Sequence, residues 1–154
     1  MTLKKRHSLL LASLSFGLLL AASLHAVQGP KMTVYKTATC GCCGKWVEHV
    51  KNNGFQVTVH EVADLSEYKE RYGVPKELES CHTAIVGGYT IEGHVPAADI
   101  LRLLKEKPAA KGLAAPGMPL GSPGMEMGDR KDAYDVLLFT ADGKTTVFQH
   151  HKGN

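Results

Sequence analysis

Residues 32–44 read Met32-Thr-Val-Tyr-Lys-Thr37-Ala-Thr39-Cys40-Gly41-Cys42-Cys43-Gly44, and a helical pattern follows to Asn53. Three of the chain's four cysteines fall within these residues. A strand, a cysteine turn and a helix form the setting in which a Cys-x-x-Cys pair reads as redox-active or metal-binding. Cys40 and Cys43 make that pair, and Cys42 is an extra thiol inside it. The start of the helix presents free N–H groups and the positive end of its dipole to the sulfurs. Both favour the thiolate, which is the nucleophile and the metal ligand. The competing reading is a disulfide staple. It fits less well, because three thiols so close leave one unpaired and an adjacent Cys42–Cys43 bridge would be strained.

Outward from this turn the punctuation defines an α/β chain. Trp46, Val47 and Val50 give the first helix an apolar face, and Asn53-Gly54 stops it. Phe55, Val57 and Val59 alternate with polar residues as a second strand. Asp64 with Glu67 predicts a capping box, and Leu65, Tyr68 and Tyr72 predict the buried stripe of a second helix. Thr83 to Val86 and Tyr89 to Gly93 flank Gly87-Gly88 as a hairpin. Pro96 then opens a helix with Ile100, Leu101 and Leu104 inward. The order β-α-β-α-β-β-α is that of a thioredoxin-like fold. It sets Cys81 and His82 at the head of the third strand, facing the cysteine turn, where a thiol and an imidazole can bind a metal. A small buried hydrophobe is the plainer reading of Cys81.

From residue 107 to 130 the chain is rich in glycine and proline, and no regular element is expected there. Such a long irregular stretch is usually functional or disordered. Met118, Met125 and Met127 lie in it, and thioether together with thiolate selects Cu(I). The plainer reading has these methionines plugging a loop onto the core. Residues 134–140 and 144–149 around Ala141-Asp142-Gly143 predict a C-terminal β-hairpin, with His150 and His151 as solvated side chains.

Residues 1–26 have the layout of a secretory signal peptide. Lys4, Lys5 and Arg6 precede an apolar run, and small residues follow at Ala21, Ala22, Ser23 and Ala26. That assigns residues 27–154 to one thioredoxin-like metal-binding domain in an exported setting. The chain has 18 basic and 15 acidic side chains; three of the basic ones and no acid fall in the first 26 residues, so the remainder is formally neutral. No basic patch suggests nucleic acid, and no membrane association is expected after cleavage. In an oxidising compartment four cysteines end as disulfides unless a metal or reductant holds them. Two bridges allow three connectivities, and the sequence does not choose among them.

Four motifs carry a resemblance: Cys40-Gly-Cys-Cys-Gly-Lys-Trp, Glu79-Ser-Cys-His-Thr-Ala, Glu92-Gly-His-Val-Pro-Ala, and Gly117-Met-Pro-Leu-Gly-Ser-Pro-Gly-Met-Glu126. Over residues 31–150 the chain resembles the CopG-type family, predicted metal-binding proteins of bacterial copper-resistance operons once grouped as a domain of unknown function. The resemblance implies a periplasmic thioredoxin-like protein that binds copper through Cys40, Cys42, Cys43 and Cys81, with a role in interconverting Cu(I) and Cu(II).

Two functions compete. In the first, the four cysteines, with His82, His94, Met118 and Met125, hold one or more Cu(I) ions and pass them to or from periplasmic copper-export or redox proteins. A disulfide cannot bind Cu(I), so redox state and occupancy would be coupled. In the second, the chain is a thiol–disulfide oxidoreductase using Cys40 and Cys43, with copper incidental. A third reading is a passive copper buffer or chaperone without turnover. A structural zinc site lacks the paired ligand spacing of a zinc ribbon. No phosphate loop, carboxylate pair or Ser-His-Asp set supports hydrolysis or nucleotide chemistry.

Overall fold

β1 (Lys31–Lys36) pairs in parallel with β2 (Gln56–Glu61) and antiparallel with β3 (His82–Val86). This computed structural model describes residues 28–154, so the predicted signal peptide lies outside the described residues. α1 (Gly41–Asn52) links β1 to β2. α2 (Ser66–Arg71) and a 3-10 turn (Lys76–Leu78) lead to β3, and a two-glycine turn joins β3 to β4 (Tyr89–Gly93). α3 (Ala97–Glu106) crosses to β5 (Gly112–Ala115), which runs parallel to β4. β6 (Tyr134–Phe139) and β7 (Thr145–His151) complete a seven-stranded sheet in the order β2-β1-β3-β4-β5-β6-β7. The described residues thus form a mixed α/β fold with three α-helices. No helix among the described residues is long and apolar enough to cross a membrane.

Period-2 alternation along the strands divides the interior into two faces. Met32, Val34, Ile91, Leu113 and Val136 meet Trp46, Val47 and Val50 of α1 and Ile100 and Leu103 of α3. The intervening residues face α2 and the 3-10 turn, where Leu78, Ala114 and Phe139 form a smaller cluster. Trp46 is fully buried, and its indole N–H donates to the Val95 carbonyl at 2.8 Å. That bond removes the cost of burying an unpaired indole N–H.

The differences from expectation have local causes. β5 lies inside the stretch expected to be irregular. Gly112-Leu-Ala-Ala115 is too short and too small-residued to announce a strand, and it is held by neighbours on both sides. Gly112 is required there, since a Cβ would run into the Thr90 carbonyl. In α3 Ile100 and Leu104 face inward as expected, Leu103 joins them, and Leu101 is instead 40% exposed. Asp64 does not close a capping box. It accepts from the Ser66 N–H at 2.9 Å as a turn residue, and Glu67 pairs with Arg71 one turn on. Tyr68 and Tyr72 are half-buried and stack on Tyr35, with centroids 4.3 and 5.5 Å away. The buried residue of α2 is Lys69, which reaches across to Glu92 on β4. His151 is not simply solvated: it contacts the Asp99 carboxylate at 2.7 Å and stacks on Tyr134. With Arg102 lying over the Phe148 ring, it fastens β7 to α3.

Candidate metal centre

Cys40 caps α1, with extended backbone and its sulfur accepting the Cys43 N–H at 3.3 Å. Cys42 and Cys43 occupy the first helical turn, so successive side chains fan around the helix start. Cys40 and Cys43 stand as a disulfide, Cα atoms 5.3 Å apart, with Cys43 buried and Cys40 half-buried. Cys42 and Cys81 are free and half-buried. The Cys42 sulfur lies 3.5 Å from that of Cys40. Cys81 reaches the same place from the head of β3, and the four sulfurs lie within 4.8 Å of one another. Burial, then the neighbouring Cys42, pushes the Cys81 thiol up to about 12.

A second ligand set shares Cys81. Its sulfur lies 3.4 Å from His82 Nδ1 and 3.0 Å from His94 Nε2, and the three groups fall within 4.8 Å of one another. His94 Nδ1 is 2.8 Å from the Pro123 carbonyl, which can only accept, so Nδ1 carries the proton and Nε2 turns its lone pair to Cys81. His82 is wholly buried beside the Trp46 ring, and its Nε2 makes no hydrogen bond of acceptable geometry. Burial, then the His94 and Lys69 charges, holds His82 well below its ordinary value, with the Gly93 backbone opposing. Burial also lowers His94, against the Pro123 carbonyl and Glu126. Both rings are therefore neutral at neutral pH, the form that binds metals.

Residues 116–126 form a strap over the cysteine turn. Ser80 Oγ donates to the Gly117 carbonyl at 2.6 Å, and the Glu126 carboxylate accepts the Gly124 N–H. Gly124 (φ +88°) packs so closely that a Cβ would sit 2.6 Å from the Cys42 carbonyl and 2.9 Å from the Trp46 nitrogen. Met118 is 55% exposed and shares an open cleft of about 430 Å³ with Glu79, Ser80, Cys81 and Gly117. Met125 is half-buried, and its backbone closes the turns of the strap through Ser122 and Gly121. The structure thus gathers Cys40, Cys42, Cys43, Cys81, His82 and His94, and sets Met118 on the rim.

Two solved structures of a copper resistance protein CopG, form 1 and form 2, superpose on the chain with TM-scores of 0.76 and 0.77. They are 51% and 50% identical to it, over 80% of this chain and 98% of theirs. The chain belongs to the CopG copper-resistance family. A family described as a protein of unknown function, DUF411, matches residues 78–125. That CopG segment carries Cys81, His82, His94 and both methionines of the expected site, but not the Cys40–Cys43 turn. No curated protein matches.

Glu92 escaped the sequence reading. It is 0% exposed, and its carboxylate accepts from Lys69 Nζ, from the Ser80 N–H at 2.6 Å and from Thr83 Oγ1 at 2.6 Å. One side chain thus holds the residues on either side of Cys81-His82. The available signal was a carboxylate in the buried run Thr90-Ile-Glu-Gly93. His49 was missed as well: its Nε2 accepts the Ala97 N–H at 3.1 Å and serves as the cap of α3.

Proposed function

We propose that this CopG-family chain is an exported copper-handling protein that binds Cu(I) through Cys40, Cys42, Cys43 and Cys81 once the Cys40–Cys43 disulfide is reduced. The observation that carries the reading is the convergence of four sulfurs within 4.8 Å. Thiolates are soft ligands that select Cu(I), and bridging lets several ions share few sulfurs, so more than one ion fits the donor set. His82 and His94 extend it with neutral nitrogens, and Met118 and Met125 are the thioether ligands we assign to the strap. Support for a thioredoxin-like scaffold comes from the β2-β1-β3-β4 order, with β1 and β2 parallel and β3 antiparallel to both neighbours. The signal-like residues 1–26 support a periplasmic location, and copper-export or redox proteins there are the partners that fit.

Closing the disulfide withdraws two ligands, so thiol oxidation and copper release are linked. The second reading, a thiol–disulfide oxidoreductase, is favoured by one feature: a half-buried Cys40 bonded to a buried Cys43 at a helix start. Cys42 separates the two. Anaerobic Cu(I) titration of the fully reduced protein, followed by ultraviolet charge-transfer absorption and metal counting, is the test. Under copper handling, Cys42→Ser lowers Cu(I) stoichiometry or affinity while the Cys40–Cys43 disulfide still forms. Copper binding unchanged by Cys42→Ser overturns the place given to the third thiol, and a reduced parent chain that binds no Cu(I) overturns the copper reading itself.

A further inference from the structure

In the described residues the sheet ends in two edge strands, and only one of them is guarded. β7 is bulged against β6 between Val136 and Leu137, the Arg102 side chain donates to the Phe148 carbonyl, and Lys144 and Lys152 flank the strand. Bulges, lysines and covered backbone groups keep an edge from pairing with another chain. β2, at the opposite edge, reads Gln56-Val-Thr-Val-His-Glu61, with no proline, no lysine and no register shift against β1. The Gln56 N–H donates to the Pro30 carbonyl and the Val62 N–H to that of Lys36, so the even-numbered residues turn their backbone groups to β1. The N–H and C=O of Val57 and Val59 therefore point outward, and among the described residues no strand pairs with them.

We propose that β2 is the contact of a symmetric dimer, pairing antiparallel with β2 of a second copy about a twofold axis through Thr58. The inference does not depend on the copper reading. A twofold contact uses one patch twice, so the strand must complement itself. In this register it does. Val57 meets Val59 of the second copy, Thr58 meets its own counterpart, and Gln56 meets His60. Apolar and β-branched cross-strand pairs are favourable, and no charge stands opposite a like charge.

Centring the pair on Val59 instead would set the Glu61 carboxylate against Val57 and draw it from Lys36, its partner at 3.1 Å. The flank of the edge suits a protein contact as well. His60 is exposed and stacks on Tyr35, which stacks on Tyr68, and this aromatic tier stops at the open edge. Tyrosine is enriched where proteins meet. β1 and β2 are parallel, with Lys36 and Glu61 paired at the end that leads to the cysteine turn. The twofold axis therefore puts the two cysteine turns at opposite ends of the joined strands, and both stay clear of the contact.

The test is analytical ultracentrifugation of the protein purified after export, held in reductant so that no disulfide joins two chains. The expected result is a concentration-dependent equilibrium between one chain and two. Thr58 is exposed, so its side chain can be changed without disturbing the core. Thr58→Lys and Thr58→Glu each set like charges against one another on the axis, and each should sediment as a single chain. Mixed in equal amounts, the two variants should sediment as a pair, because the axis then carries opposite charges. That recovery also shows that both variants are folded. A parent chain that stays single up to millimolar concentration overturns the proposal, whether or not another protein's strand takes the edge. A dimer that persists in both single variants overturns it too, since the contact then lies elsewhere.

Discussion

Two buried polar clusters adjoin Cys81-His82, and they differ in one respect. On one side Glu92 has every acceptor used, by Lys69, Thr83 and the Ser80 N–H. On the other, His82 Nε2 has no partner, and Cys81, His82 and His94 converge on one another. A satisfied buried network specifies structure, whereas a buried group left unsatisfied is tolerated where a ligand is to be received. The contrast makes Glu92 and Lys69 a platform and His82 a member of the proposed copper site.

The largest effect should come from breaking the platform. Glu92→Ala leaves Lys69 buried without its counter-charge, and removing one partner of such a pair costs about 3–5 kcal/mol. Urea unfolding of the apoprotein measures it. The double variant Lys69→Met/Glu92→Leu should recover most of that loss, because no lone charge remains. A loss below about 1 kcal/mol in Glu92→Ala would erase the distinction between the clusters, since that is the worth of an ordinary hydrogen bond.

Next is the strap. Gly124→Ala forces a Cβ against the Cys42 carbonyl at φ +88°, and strained backbone of this kind costs about 1–3 kcal/mol. The same change should lift Pro123 from His94, so Cu(I) binding weakens as well. Competition with a Cu(I) chelator reads the second effect, and unfolding reads the first.

His82→Leu tests the other side of the comparison. It removes an unsatisfied buried nitrogen at nearly constant volume, so apoprotein stability should stay level or rise by about 1 kcal/mol. Metal affinity should fall. A loss of several kcal/mol in the apoprotein would place His82 among the platform residues instead.

The smallest effect is acid sensitivity. Burial is the first cause holding His49, His82 and His94 below the ordinary value of 6.5. As pH falls below about 6.5, the unfolded chain therefore takes up more protons than the folded one. Their contribution is complete above that value and is lost on acidification, so the urea midpoint should be lower at pH 5 than at pH 7.5. His49→Gln, which can still accept the Ala97 N–H, should remove one share of this slope.

What could be read from the sequence was local. The Cys40–Cys43 turn, the stop at Asn53-Gly54, the Gly87-Gly88 hairpin and the C-terminal hairpin each announce themselves through a few adjacent residues. β5 could not be read this way, because Gly112-Leu-Ala-Ala115 becomes a strand only through β4 and β6. Lys69 looked like a solvated helix residue, and its burial depends on a carboxylate 23 positions away. His151 looked like a tail, and its partners are Asp99 and Tyr134 on other elements.

By itself the sequence determined the donor types and the order of elements through α3, since these follow from residue chemistry and from periodicity over a few neighbours. The element order already set Cys81 facing the turn, and tertiary structure alone decided that Pro123 sets the His94 tautomer and that Glu92 brackets the Cys81-His82 dipeptide. Those are contacts between residues distant along the chain. They exist only once burial makes an unpaired polar group costly enough to select one arrangement.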